Sequence, residues 1–594
     1  MSENFKRTIL RFGALFIVIA LLFVVVLVRI VYIQTAERDY WLNKIDHETD
    51  YKPIEAKRGD IYDAQGRLLA SSIPQYLVRF DGRVAALRKN NGSLFWSRLD
   101  SVADAFSEIV GDKTKAEYRA LMVKAFNEKR LIPLVRSISH IQYRELKKAP
   151  LVNRGEKQSG VYFEETNVRI KPFNTLGSRT IGGLSKRDGT PQMGLELRYD
   201  SYLRGVDGKK MIIAEESIPV EDAEKGCDLY TTLDANMMDI CETALRKRLE
   251  LRKAEWGTVV LMDVQTGEVK AISNLVLQKS DSAYYETYNY AVHPLEPGST
   301  FKTVALMAAM DDKKVKMTDK IQVDSLGWKY YDVDHVDSHR ANALYTIRQS
   351  LAVSSNIALA KIVTNGSDGS ADKFVKKLTE MGMCDSIDYT IPGAHQAVIK
   401  VPKGDKATIS KMAYGYSVEL SPLQMLMFYN GIANKGKMVA PRFVREVRKD
   451  GEVVEEFETQ VVRERMCDAE TLENIKLCLH DVVWDNEYGT ASVIPNTKIR
   501  KAQSDLVKIA GKTGTAQIRT GSGYSKSKHR ISFVGYFPEE NPQYSCICVI
   551  NLPQRPYDSG LDCGIVVRQI AEKIMAYAGE YVVRDGNLVM LKNK

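Results

Sequence analysis

The chain has 594 residues, 44% of them hydrophobic and 27% charged, with a formal net charge of +9. That length supplies two or three domains with cores of their own, and the mixture of both charge signs excludes wholesale disorder. The positive balance is modest and spread out, with no dense Lys/Arg stripe interleaved with aromatics, so no nucleic-acid partner is expected.

Phe12 to Val28 contains no charge or strongly polar group, and Ile30 to Ile33 continues it past Arg29 to a length that crosses a bilayer as a helix. Arg29 can snorkel to the interface, where Tyr32 also fits. Lys6, Arg7 and Arg11 precede the span. The positive-inside rule therefore predicts a cytoplasmic tail at 1–11, a transmembrane anchor at 12–33, and the remainder outside. A single-pass protein of the cytoplasmic (inner) membrane is expected, its remainder facing the periplasm or the extracellular side. No small-x-small site follows the apolar run, which favours an uncleaved anchor over a signal peptide. A helical continuation is expected from Thr35 to about Ile45.

Residues 38–225 read as a non-catalytic, β-rich segment. Arg58-Gly59-Asp60-Ile61-Tyr62-Asp63-Ala64-Gln65-Gly66-Arg67 reads as strand, turn and strand. Val84 to Pro150 has apolar residues at helical spacing, as in Tyr118, Leu121, Met122 and Phe126, and predicts amphipathic helices. Gly160 to Gly208, with Gly and Pro every few residues, predicts a loop-rich β region. A second domain, 226–580, begins near Cys227, and 581–594 is read as a tail. Its elements in order are a helix capped by Asp234 and running to about Arg252, and a β-hairpin of Gly257 to Asp263 and Glu268 to Ser273 around Gln265-Thr266-Gly267. A mostly apolar helix follows from Ser299 to about Met310, and another opens at Ser421-Pro422. Three strands are expected at Leu506 to Ile518, Ile531 to Phe537 and Tyr544 to Leu552. An amphipathic helix closes the domain from Cys563 to Tyr577, stopped by Gly579. Helices mid-domain and an antiparallel sheet built from both ends make an α+β pattern.

The eight cysteines are too few for a disulfide scaffold, though they leave room for one or two bridges in an oxidising compartment. Cys546 and Cys548 alternate in an apolar run and should share one face of a strand. Leu423 to Phe428 reads as core. His335 and His339, with Asp334 and Asp337 nearby, are four apart but sit in a polar loop, so no metal site is expected there.

Three short stretches carry chemistry. In Glu296-Pro297-Gly298-Ser299-Thr300-Phe301-Lys302, a Pro-Gly turn delivers a serine to the start of a helix, with a lysine one turn on. In a dry pocket that ammonium loses solvation, its pKa falls, and it can activate the serine as a base without histidine. Read alone, the same residues are an N-cap serine with a surface lysine. Ser354-Ser355-Asn356 reads as a tight turn entering a helix, where a serine can relay a proton and an asparagine can hold an amide. An ordinary N-cap turn has the same pattern. Gly511-Lys512-Thr513-Gly514-Thr515 lies within a strand, where Gly514 allows close approach, Lys512 supplies positive charge, and Thr513 and Thr515 offer hydroxyls. An extended substrate could pair with that strand edge. The upstream glycine of a P-loop is absent.

In order, these are S-x-x-K, S-x-N and K-T-G, the trio of penicillin-binding proteins and class A β-lactamases. The chain resembles the class B penicillin-binding proteins over nearly its whole length. The resemblance is carried by the trio, the N-terminal anchor, Arg58-Gly59-x-Ile61 with Gly66, Gly194-x-Glu196, Asp263 to Gly267, Glu296-Pro297-Gly298, Ser421-Pro422-Leu423-Gln424, and Phe533-Val534-Gly535-Tyr536. The Phe-Val-Gly string is more like the cell-division (FtsI) type than the elongation type. The resemblance implies an elongated β-rich pedestal, of dimerisation type, before a transpeptidase domain that combines an antiparallel sheet with a helical subdomain. It implies that Ser299 attacks a D-Ala-D-Ala stem peptide of peptidoglycan, Lys302 takes its proton, Ser354 passes a proton to the leaving D-alanine, and Asn356 positions the peptide. Lys512 would add electrostatic support, while Thr513, Gly514 and Thr515 bind the substrate carboxylate. The backbone N–H groups of Ser299 and Thr515 would form the oxyanion hole. β-Lactams should acylate Ser299, and no cofactor or metal is called for. The implied partners are a polytopic SEDS-type (FtsW-like) glycosyltransferase and other divisome proteins. Rival readings are an elongation-type transpeptidase, a serine β-lactamase or D,D-carboxypeptidase, and a non-enzymatic β-lactam sensor or divisome scaffold.

Overall fold

A computed structural model of the chain describes residues 3–38, 40, 50–185, 187–213, 216–338, 341–385, 388, 391–399, 401, 405–521, 523–577, 581–584 and 587–590. It divides into two compact units, 1–57 with 205–226, and 58–204 with 227–594.

The first unit carries the helix Glu3–Thr35 and a three-stranded antiparallel sheet of Asp50–Ile54, Gly208–Ile213 and Glu216–Glu221. From Arg11 to Thr35 the helix has a mean hydropathy of 3.3 over its most apolar window, none of it buried within the protein. A helix satisfies its own backbone groups, which is what a bilayer interior requires. The continuous helix ends at Thr35, whose hydroxyl donates to Val31 O at 2.7 Å. Ala36 and Glu37 form a turn, and most of the expected continuation to Ile45 lies outside the described residues.

In the second unit, the expected amphipathic helices are present. Ser93–Val110 buries Phe95, Leu99 and Phe106, and Lys115–Glu128 buries Tyr118, Met122 and Phe126. Thr114 and Glu117 form a capping box at the start of the second helix. The helical reading fails at Leu131–Ser139, which is a strand. Pro133 is the overlooked signal, because proline breaks a helix interior. This strand and Val161–Ile170 pair with opposite edges of the long strand Leu68–Asp81. The region from Gly160 to Gly208 is less β-rich than expected. It also holds the helical turns Ser178–Ile181, Gly194–Arg198 and Asp200–Leu203.

A buried ion cluster explains two of the quoted stretches. Arg58 Nε donates to Glu196 Oε2 and Arg169 Nε donates to Glu196 Oε1, both at 2.7 Å, with Glu196 fully buried. Arg169 also donates to Gly59 O at 2.7 Å. A carboxylate taken out of water persists only when opposite charges and hydrogen bonds surround it. The sheet does not stop at the boundary expected near residue 226. Ile61–Tyr62 pairs in parallel with Asp228–Thr231, which pairs with Val444–Lys449, which pairs with Glu452–Glu456.

Six strands form the second sheet. They are β1 (Trp256–Asp263), β2 (Val269–Gln278), β3 (Ala283–Tyr285), β4 (Ala510–Thr520), β5 (Gly523–Phe537) and β6 (Tyr544–Asn551), in the spatial order β3-β2-β1-β6-β5-β4, antiparallel throughout. The sequence thus closes the sheet from both ends, and β4 is left as an edge. The helices that matter are α1 (Ala235–Arg252), α2 (Lys302–Asp311), α3 (Asn356–Gly366), α4 (Pro422–Ala433), α5 (Ala469–Trp484) and α6 (Ile565–Tyr577). Asp234 caps α1, and Ser421 caps α4 in a capping box with Gln424. Every residue of α4 is buried, as its apolar run predicts. Strand alternation sorts the faces of β6. Cys546 and Cys548 share the face toward Cys241 of α1 and Cys563, while Ile547 and Val549 line a cavity with Met425 of α4. Cys241, Cys384, Cys467, Cys478, Cys546, Cys548 and Cys563 form no disulfide among the described residues. The residues read as a C-terminal tail include a hairpin, Tyr581–Arg584 with Asn587–Met590, and Gly579 lies outside the described residues.

Candidate active site

Ser299 sits in a 3-10 turn, Gly298–Phe301, that runs directly into α2. Gly298 has φ +59°, and a Cβ there would lie 2.9 Å from Ala516 Cβ and 3.1 Å from Thr515 O. Glycine therefore permits both the turn and its close approach to β4. Tyr429 of α4 secures the turn from below, its hydroxyl 2.7 Å from Thr300 O and 2.7 Å from Thr303 Oγ1. Ser299 itself is half-buried.

Lys302 and Lys512 are both fully buried, 0% exposed. Lys302 Nζ donates to Ser354 O at 2.5 Å and to Ser354 Oγ at 3.1 Å. Lys512 Nζ, arriving from β4, donates to the same Ser354 Oγ at 2.9 Å and to Thr513 O at 2.9 Å. The S-x-x-K, S-x-N and K-T-G segments thus converge on one hydroxyl. Burial lowers the Lys302 pKa to about 7, against the opposing pull of Asp337. Lys512 falls well below its ordinary value, first through burial and then through the neighbouring Lys302. Like charges this close disfavour double protonation, so at neutral pH the pair can hold an unprotonated amine. No hydrogen bond joins Lys302 Nζ to Ser299 Oγ among the described residues. Such catalytic contacts commonly tighten only when substrate is bound.

Ser354 has φ +58°, in the left-handed region unusual for a side-chain-bearing residue. The strained turn is held by Ser354 N–H to Leu351 O and Ser355 N–H to Ser350 O, each 3.1 Å. Ser355 is the N-cap of α3, its Oγ accepting from Ala358 N–H at 3.0 Å. Asn356 begins α3 and its Nδ2 donates to Val336 O at 2.9 Å.

On β4, Gly514 is pressed between two neighbours. A Cβ would lie 2.3 Å from Ser532 Oγ and 2.8 Å from Thr300 Cγ2. Thr513 is only 3% exposed, with its Oγ1 2.7 Å from Thr490 Oγ1, whereas Thr515 is exposed. The two threonines share a face of the strand, but only Thr515 presents its hydroxyl openly. Gln517 N–H donates to Tyr416 OH at 3.0 Å, away from β5. Since N–H directions alternate along a strand, Thr515 N–H points to the same open edge.

Sequence reasoning missed Thr490, Tyr429 and the role of Asp337. In the sequence, Asp337 stands beside His335 and His339 as a candidate metal ligand only. His335 Nδ1 lies 3.0 Å from Tyr414 OH, Asp337 is bonded to the turn of Ser355 and Asn356, and His339 lies outside the described residues.

The family model described as the penicillin binding protein transpeptidase domain matches residues 257–576, and that of the penicillin-binding protein dimerisation domain matches 53–231. Stage V sporulation protein D of Bacillus subtilis is 24% identical over 552 residues, covering 88% of this chain and 78% of that protein. Peptidoglycan D,D-transpeptidase FtsI of Buchnera aphidicola is 23% identical over 613 residues, covering 98% and 97%. Among solved structures, penicillin binding protein 2X of Streptococcus thermophilus superposes with a TM-score of 0.75 at 21% identity, covering 89% of this chain and 81% of that one. The chain belongs to the penicillin-binding protein transpeptidase family, with the two-domain organisation of its class B members.

Proposed function

We propose that Ser299 is the acylated nucleophile of a peptidoglycan D,D-transpeptidase that works in septal wall synthesis. The activity itself is that of the family, and peptidoglycan is its substrate. The observation that carries the site is the meeting at Ser354 of two buried lysines, one of which, Lys302, opens α2 one turn after Ser299.

In this reading, Ser299 Oγ attacks the carbonyl of the penultimate D-alanine while Lys302 takes the hydroxyl proton. The oxyanion is held by the N–H groups of Ser299 and Thr515. Ser354, bonded to both lysines, delivers a proton to the departing D-alanine amine, and the ester remains on Ser299. An amine from a neighbouring stem then attacks that ester, its proton returns through the same relay, and Ser299 is regenerated. Asn356 positions the peptide and Thr515, with Thr513 behind it, receives the terminal carboxylate.

The catalytic unit is assigned to the outer side of the cytoplasmic membrane, because Lys6, Arg7 and Arg11 precede the anchor. The septal role is supported by the Phe533-Val534-Gly535 string and by the FtsI relative. A polytopic glycosyltransferase and divisome proteins are the partners this role implies for residues 38–225.

Intact mass of the protein after exposure to benzylpenicillin tests the site. A stable adduct that disappears in Ser299→Ala is the expected result. An adduct lost within seconds, with drug consumed, would point to a β-lactamase instead. An adduct that persists in Ser299→Ala sinks the nucleophile assignment.

A further inference from the structure

We propose that Asp337 is a positioning residue for acyl transfer, holding the Ser354–Asn356 turn in its working geometry from outside the catalytic trio. The proposal rests on the reading of Ser299, Lys302 and Ser354 given above.

Asp337 follows the short strand Val333–His335 and is half-buried. Its Oδ2 accepts from Ser355 Oγ at 2.6 Å, and its Oδ1 accepts from Asn356 N–H at 2.6 Å and Ile357 N–H at 3.1 Å. Ser355 in turn caps Ala358 N–H at 3.0 Å. The first three amides of α3 are therefore satisfied by one remote carboxylate and one local hydroxyl. Val336, its chain neighbour, accepts from Asn356 Nδ2 at 2.9 Å. One segment thus grips both the backbone and the side chain of the S-x-N turn.

That grip is needed because Ser354 is strained at φ +58°. A residue in the left-handed region keeps that conformation only when its surroundings over-determine it. An acidic group at a helix start is also favoured by the dipole.

The carboxylate has a second effect that a purely structural cap would lack. Asp337 is the negative charge opposing the burial of Lys302. Among the described residues, Lys512 also faces Lys302, and Tyr345 of the strand Ala343–Thr346 faces Asp337. Removing the charge at 337 lets Lys302 lose its proton at lower pH. Removing the Ser355 hydroxyl breaks part of the grip but leaves the charge in place.

The test measures the second-order rate of benzylpenicillin acylation on the full chain between about pH 5 and 9, for wild type, Asp337→Asn, Asp337→Glu and Ser355→Ala. Asp337→Asn should lose roughly 10- to 100-fold in rate, as expected for a misplaced catalytic group. Its acid limb should move to lower pH by about one unit. Ser355→Ala should lose roughly tenfold with the limb unmoved, and Asp337→Glu should restore the position of the limb. Wild-type rate in Asp337→Asn, or a slower rate with an unshifted limb, overturns the proposal. If Asp337→Asn does not fold, Ser355→Ala decides alone, and a wild-type rate there overturns it. Ser299→Ala run alongside separates this failure from that of the site itself, since an adduct in that variant removes the nucleophile regardless of Asp337.

Discussion

Lys302 shows how position lowers the pKa of an ordinary residue toward the range of the base proposed here. An exposed lysine is protonated at neutral pH, but this one is fully buried and its pKa falls to about 7. A protonated lysine cannot accept the Ser299 proton, so acylation should be slow below that value and rise with pH through it. Stopped-flow acylation across the neutral range should place the midpoint of the acid limb near 7, and a rate flat from about pH 5 to 9 would remove Lys302 as the base. Lys302→Ala should abolish acylation while leaving the thermal melt nearly unchanged, because it removes an amine that burial already disfavours. Normal acylation in that variant would equally refute the assignment.

At the scale of elements, the proposed acylation rests on how closely β4 approaches the turn that opens α2. Gly298 and Gly514 allow it, and the side chain of Thr300 fills the space over Gly514. Gly514→Ala should push the strand off the helix and slow acylation roughly 100-fold, with a smaller effect on melting, because displacement near 1 Å suffices. Unchanged acylation kinetics would show that the contact is not needed. A second element-level feature is Glu286, just after β3. Its Oε1 accepts from Asn274 N–H of β2 at 2.8 Å, and its Oε2 accepts from Arg179 N–H at 3.0 Å. Burial outweighs these bonds and raises its pKa from 4.5 to about 7. A raised carboxyl contributes stability fully below its unfolded pKa and loses it as pH rises through the folded one. The stability of Glu286→Gln relative to wild type should therefore improve as pH rises from about 4.5 to above 7. Melting temperatures whose difference stays constant over that window would disprove it.

At the scale of the whole molecule, the anchor helix and the catalytic chemistry belong to different units of the chain. The helix is apolar enough to span a bilayer, with none of its most apolar window buried among the described residues. The full chain should therefore stay with membranes in alkaline carbonate and be released only by detergent, while removal of residues 1–35 should shift it to the soluble fraction. Recovery of the full chain in the carbonate supernatant would contradict a spanning anchor. Added protease on intact, outer-membrane-permeabilised cells should digest the catalytic unit if it faces outward as proposed.

Local patterns in the chain were sufficient for much of this. The apolar run predicts the anchor, Asp234 and Ser421 mark helix starts that the structure places at the same residues, and the three late strand runs appear as β4, β5 and β6, with β5 starting at Gly523 rather than Ile531 and the other ends moved by a few residues. Each is written in neighbouring residues, where spacing and capping act directly. Apolar spacing predicts helix across Leu131–Ser139, but Pro133 breaks a helix interior and the segment is a strand. The trio was legible as three motifs, but not as one site. Sequence separation carries no information on which hydroxyl two buried lysines share, that Thr490 covers Thr513, or that Asp337 holds the turn of Ser354. Those relations, and the desolvation that lowers the Lys302 pKa, come into being only when distant segments exclude water around one another.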